Sequence, residues 1–213
     1  MKNLFTLIIL IISLSTGNLF SQINYTFSSS ISTYAALTAP TVEFSGNTNE
    51  VISGNINIGF SFLLGCTSYT QVQICTEGWI GFGGGLASSS NNNLSGSTQR
   101  NIIAPLWDDI RNARNVGQIA YRLTGTAPNR VFTVEYLNMR WNDNGGDNSN
   151  GVITFQVKLF ETSNTIEFNY RQESQAVNNG SASIGIAGPS IGEFYSVNTA
   201  GAVSTATETT NIS

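Results

Sequence analysis

The sequence predicts an all-β chain: two antiparallel sheets packed face to face in a jelly-roll-like sandwich with long polar loops. Three observations carry this. Apolar residues recur with period two along the chain, apolar spacing of three and four is nowhere sustained over a helix length, and Gly-rich turn signals separate the alternating runs. Strand side chains alternate between two sheet faces, so such runs bury one face and wet the other.

Taken in order, residues 1–21 read as a secretory signal: Lys2 supplies a positive start, and the apolar stretch from Leu4 to Leu14 is too short to span a bilayer comfortably. Cleavage after Ser21 leaves a mature chain of 22–213, a length that one β-sandwich accommodates, with no membrane span. The first clear strand places Ile58, Phe60, Phe62 and Leu64 inward, before a turn signalled by Gly65 and Ser68. Ile119, Tyr121 and Leu123 form a second alternating set, and Phe132, Val134 and Tyr136 a third. Residues 152–161 give the clearest pattern, with Ile153, Phe155, Val157 and Leu159 on the core face and Thr154, Gln156 and Lys158 on a wet face. Ile166, Phe168 and Tyr170 follow, then the small-residue run Ala182, Ile184 and Ile186. Two stretches stand outside this alternation. Residues 83–100 and 142–151 are almost free of large apolar side chains and are expected to be exposed loops.

Composition removes many chemistries. The chain has no histidine, which excludes Ser-His-Asp and Cys-His nucleophile systems and the usual zinc sites. Nine basic and thirteen acidic residues, a net charge of -4 and no basic run leave no footprint for nucleic acid. Charged residues are 10% of the chain, while Asn, Ser and Thr supply about a third of it, so solubility rests on uncharged polar groups. No cofactor is implied.

Candidate sites are few. Cys66 and Cys75 are the only thiols, and an exported chain meets an oxidising compartment, so a disulfide closing this short loop is expected. Asp143 and Asp147, with Asn142 and Asn144, offer oxygen ligands for calcium, but Gly145 and the lack of a closing Glu break the EF-hand spacing. A polar hairpin tip is the expectation there. Asp108 and Asp109 are adjacent, and in an extended segment they would point to opposite faces, unable to flank one glycosidic bond. One is expected to bond loop amides and the other to be solvated. Trp79 and Trp107 sit among apolar neighbours and are assigned to the core, whereas Trp141 opens the polar loop as the best partly exposed ring for a ligand.

The stretch GFSFLLGCTSYTQVQICTEGWIGFG, followed by NIIAPLWDDI and GQIAYRLTG, resembles the nidogen-like extracellular module and its relatives in secreted Bacteroidota proteins. Phe60, Phe62, Gly65, Tyr69, Gly78, Trp79, Ile80 and Phe82 match its first part. Ala104, Pro105, Trp107, Asp109, Gly117 and Tyr121 match its second. Glu77 stands where that family usually has Asn, and Leu106 where it usually has an aromatic. The resemblance implies a non-catalytic module of an adhesive or cell-surface protein, often joined to further domains and to a type IX sorting domain. It also implies a closing strand beyond TTNIS, so the chain is expected either to be a fragment or to carry an edge that another chain can fill. The expected activity is binding of an extracellular protein or glycan through loops. The alternative is a carbohydrate-binding or glycan-hydrolysing domain using Trp141 with Asp108 or Asp109.

Overall fold

A computed structural model of the chain describes residues 25–113, 116–141, 151–174, 181–199, 202–204 and 210–211. The expected signal segment, 1–21, lies outside them. Among the described residues fourteen strands are formed: β1 (Thr41–Ser45), β2 (Ile56–Leu64), β3 (Thr67–Cys75), β4 (Trp79–Gly81), β5 (Ile102–Trp107), β6 (Ile110–Asn112), β7 (Gln118–Thr124), β8 (Val131–Trp141), β9 (Ile153–Phe160), β10 (Ile166–Tyr170), β11 (Ser181–Ala187), β12 (Phe194–Thr199), β13 (Ala202–Ser204) and β14 (Thr210–Asn211).

These build two antiparallel sheets, consistent with the expected sandwich. One runs β1-β7-β8-β9-β10 with β6 beside β8, and the other runs β13-β12-β11-β5-β4-β3-β2 with β14 beside β11. The alternation seen in the sequence decides which faces meet. Ile58, Phe62, Val134, Tyr136, Phe155, Val157 and Leu159 are fully or almost fully buried between the sheets. Phe155 stacks on Tyr136 at 4.6 Å between ring centroids. The Tyr136 hydroxyl then crosses the core and donates to the carbonyls of Cys75 and Trp79 at 3.1 and 2.9 Å. Leu123 departs from its expected inward position: it is 41% exposed near the end of β7, with its side chain lying over Gly59.

The outer faces differ most from the expectation of wet sheet surfaces. Thr133, Glu135, Thr154 and Gln156 lie on the outer face of β8 and β9, yet all are buried. Residues 25–38 form a strap that passes the β10 edge and crosses that face from Ser32 onward. Tyr34 and the Leu37 N–H both donate to Glu135 Oε1, at 2.7 and 3.1 Å, and Gln156 Nε2 donates to the Ala35 carbonyl at 2.9 Å. Arg122 reaches Thr38 Oγ1 at 2.8 Å and Ser32 reaches Asn169 Oδ1 at 3.0 Å, so the strap is fastened along its length.

The loop of residues 83–100, expected to be exposed, roofs the opposite sheet. Trp79, Trp107, Ile102, Ala104 and Cys75 point away from the main core and form a second apolar cluster with Ala187. Leu94 of the loop plugs it and is fully buried. The Ser89 carbonyl accepts both indole N–H groups, from Trp79 at 3.2 Å and from Trp107 at 2.8 Å. Arg100 closes the loop by donating to the carbonyls of Gly188, Leu94 and Glu193 at 2.9, 2.9 and 2.7 Å. Two large indoles with one donor each need an acceptor and a cover, and a polar loop with a single well-placed leucine supplies both.

The expected disulfide is absent: Cys66 and Cys75 are not bonded. Gly65, at φ 59°, and Cys66 form the tip of the β2–β3 hairpin, while Cys75 is the last residue of β3. Nine residues of extended strand separate the two by roughly 30 Å, against a Cα separation of at most about 7 Å for a bridge. Cys66 is exposed and Cys75 is buried beneath the 83–100 loop.

Candidate binding surface

The residues matching the nidogen-like pattern are scaffold. Phe60, Phe62, Trp79, Phe82, Pro105 and Trp107 are buried, and Tyr69 and Tyr121 pack half-buried on the main core. Gly78 has the tightest requirement. Its φ is +79°, and a Cβ there would stand 1.8 Å from the Leu106 carbonyl oxygen. Close approach at this turn lets the Leu106 N–H reach the Gly78 carbonyl at 3.2 Å and locks β4 beside the end of β5.

That same turn carries Glu77 into the interior. Its Oε1 accepts from the Glu50 N–H at 2.7 Å and from Thr76 Oγ1 at 2.9 Å, and its Oε2 accepts from the Ile110 N–H at 3.2 Å. Every one of these partners is a donor, which suits an acceptor-only carboxylate and accounts physically for Glu where the resemblance leads one to expect Asn. Burial pushes the Glu77 carboxyl up to about 7, with nearby Asp109 adding to the rise and the three hydrogen bonds opposing it.

Asp108 and Asp109 fill the break between β5 and β6. Asp108 is buried: its Oδ1 accepts from the Asp109 N–H at 2.8 Å, and its Oδ2 from Trp141 Nε1 at 2.8 Å and Ser181 Oγ at 3.1 Å. Burial raises its carboxyl above the ordinary aspartate value, against the pull of those bonds. Asp109 is half-buried, not solvated as expected. Trp141 is partly exposed as expected, but its ring packs against the core and its N–H turns inward to Asp108 and to the Ser181 carbonyl. Asp108, Trp141 and Ser181 thus form one structural knot joining the ends of β5, β8 and β11. Asn142, Asp143, Asn144 and Asp147 lie outside the described residues. Among the described residues no group of acidic and thiol side chains could hold a metal ion. Nor is any helix among them long and apolar enough to cross a membrane.

The surface with room for a ligand lies elsewhere, along β10. A cleft of about 360 Å³ runs between this strand and the strap, with Ser28, Ser29, Ser30 and Ser32 on one wall and residues 165–170 on the other. A smaller apolar cavity of about 90 Å³ adjoins it, lined by Phe27, Ile166, Phe168, Ile186, Tyr195 and Val197. A third cleft, about 460 Å³, continues past Thr165 toward the β2–β3 tip at Gly65 and Cys66. Sequence reasoning read Ile166, Phe168 and Tyr170 as core and passed over this surface, because the serine-rich opposite wall, in residues 28–32, carries no strand or motif signal.

Glu167 and Asn169 on the wall are already engaged. Glu167 Oε1 accepts from Lys158 Nζ at 2.7 Å and from Asn169 Nδ2 at 3.2 Å. The Tyr170 hydroxyl is tied to the Pro105 carbonyl at 2.5 Å, and its ring is tilted against Phe155.

No curated protein and no solved structure matches this chain. A family model described as NIDO related matches residues 24–213, which spans every strand of both sheets together with the strap and the roofing loop. The tight Gly78 turn, the buried Trp79 and Trp107, and the Ala104-Pro105 strand all fall within that match, and the chain belongs to the NIDO-related family.

Proposed function

We propose that this chain is an extracellular interaction module that binds its partner without chemistry, through the cleft between the strap and β10. Membership of the NIDO-related family suggests an extracellular module. The observation that carries the binding reading is the cleft itself, about 360 Å³ beside an edge strand, with the strap as its opposite wall. The non-catalytic reading is supported by the state of the acids. Glu77 and Asp108 are buried with their oxygens occupied by donors, and the chain has no histidine to move a proton near neutral pH.

The test is binding of the full chain to an array of extracellular matrix proteins and glycans, repeated with Ser29→Arg, which fills the cleft from an exposed position. Binding that is lost in Ser29→Arg supports the reading. Binding untouched by Ser29→Arg but lost in Trp141→Ala moves the site to the end of β8 and overturns it. Turnover of a polysaccharide that disappears in a folded Asp109→Asn variant overturns the non-catalytic part.

A further inference from the structure

Building on that cleft-binding reading, we infer that the cleft is a strand-docking slot whose occupant is an extended, uncharged segment of a partner protein, added to the sheet beside β10.

The argument begins with register. Among the described residues β10 is the last strand of its sheet and pairs with β9 alone. The Phe160 N–H donates to the Thr165 carbonyl and the Arg171 N–H to the Thr154 carbonyl. In an antiparallel ladder hydrogen-bonded pairs alternate with non-bonded ones, so Glu167–Lys158 and Asn169–Gln156 are the bonded pairs between those two. The N–H and C=O groups of Ile166, Phe168 and Tyr170 therefore point away from β9, toward the cleft. The strap passes beside them, yet among the described residues no backbone hydrogen bond joins it to β10. A row of three outward donors and three outward acceptors at every second residue is the template that an added strand satisfies.

The side-chain environment has the matching period. Residues of a docked strand that face the same way as Ile166 and Phe168 would enter the 90 Å³ apolar cavity, against Ile186, Tyr195 and Val197 of the facing sheet. Residues between them would meet Ser28, Ser29, Ser30 and Ser32 on the strap. The slot thus reads an alternation of aliphatic and small polar residues. Its one ionised side chain, Glu167, is neutralised by Lys158 at 2.7 Å, which favours an uncharged occupant.

The same geometry disfavours two other occupants. A glycan is gripped most firmly by carboxylate and amide side chains, and here Glu167 and Asn169 are already bonded to their neighbours, which leaves the strap serines as side-chain partners. A second copy pairing β10 to β10 would drive two straps together, because each strap forms the outer wall of its own slot.

The experiment is amide hydrogen exchange, resolved by residue, on the full chain alone and with an array of capped seven-residue peptides that alternate Val, Ile, Leu or Phe with Ser, Thr or Asn. In the unliganded protein the amides of Ile166, Phe168 and Tyr170 should exchange faster than those of Glu167 and Asn169. A binding peptide should slow the first three by about tenfold or more while leaving the other two unchanged. Ser29→Arg and Ser30→Arg, both at exposed positions, should abolish the effect without altering the fold. The inference is overturned if no peptide of the array binds, if binding leaves those three amides unprotected, if neutral oligosaccharides protect them instead, or if sedimentation shows self-association through the same edge. A glycan or protein found at the cleft without strand pairing would sink this inference and leave the cleft-binding reading standing. Loss of all binding at the cleft would remove both.

Discussion

At Glu77, one carboxylate decides how an interior turn responds to pH. Its pKa in the folded chain is raised from 4.5 to about 7 because the group is buried. A raised carboxyl holds its proton more tightly when folded than when unfolded, so between these values the folded state binds more protons, and stability falls as pH rises through this window. Burial of Asp108 acts in the same direction. Urea denaturation of the wild type and of Glu77→Gln from pH 5 to pH 8 should show a steeper loss of stability in the wild type. Parallel curves would remove the assignment. Near pH 5 Glu77→Gln should lie close to the wild type, because the protonated Glu77 carboxyl also carries a hydrogen donor among donors such as the Ile110 N–H. The thiols offer a second test at this scale. Cys66 is exposed, whereas Cys75 is buried and its thiol is pushed up to about 11. A thiol reagent at neutral pH should therefore modify Cys66 in the native protein and Cys75 only after unfolding, as read by peptide mass. Modification of neither thiol in unreduced, denatured protein would restore the disulfide.

At the scale of elements, two segments without regular structure close the outer faces. Leu94 is the apolar plug of the 83–100 loop, and Leu94→Ala should cost about 2–5 kcal/mol, the range for emptying a buried leucine site. Tryptophan emission should shift to the red as Trp79 and Trp107 lose their cover, and an unchanged spectrum would show that the loop does not seal them. On the other sheet, Tyr34→Phe removes one of three donors to the buried Glu135 carboxylate, the others being Leu37 N–H and Gln156 Nε2. The expected cost is about 1–3 kcal/mol. Amide exchange across residues 33–38 should accelerate more than in β8, and uniform acceleration would mean that the strap is held by something other than this bond. Neither segment was legible in the sequence as a cover. The strands were legible, because Ile153, Phe155, Val157 and Leu159 alternate over a single local run. The strap and the loop owe their burial to partners far along the chain, Tyr34 to Glu135 and Ser89 to Trp107, and serine and asparagine look the same in sequence whether they face water or an indole.

At the scale of the whole molecule, two apolar clusters lie on opposite sides of β3, β4 and β5, and the Tyr136 hydroxyl ties them by bonding backbone carbonyls of Cys75 and Trp79. The corner of the sandwich is pinned as well. Arg130 pairs with Glu161 at 2.5 Å and donates to the Gly59 carbonyl, joining the β8 side of one sheet to β2 of the other. Layers linked in this way should unfold as one unit. Urea transitions followed by tryptophan fluorescence, in which Trp79 and Trp107 report the outer cluster beside Trp141 on the main core, and by far-UV circular dichroism, which reports both sheets, should coincide. Separate midpoints would show that the roofed cluster melts on its own.

The all-β class, the two-sheet packing and the inward residues of the main core were determined by the sequence itself, since period-two alternation is a local property of a strand and fixes which side chains share a face. The missing histidine likewise bounded the chemistry before any coordinate was known. Tertiary structure alone decided that Cys66 and Cys75 stand at opposite ends of one strand, that Trp141 turns its N–H to Asp108, and that β10 carries an open edge beside a serine-lined cleft. Each of these depends on which distant segments meet: strand order, hairpin register and the path of the strap are set by the sum of contacts across the fold and leave no periodic mark on the residues that make them.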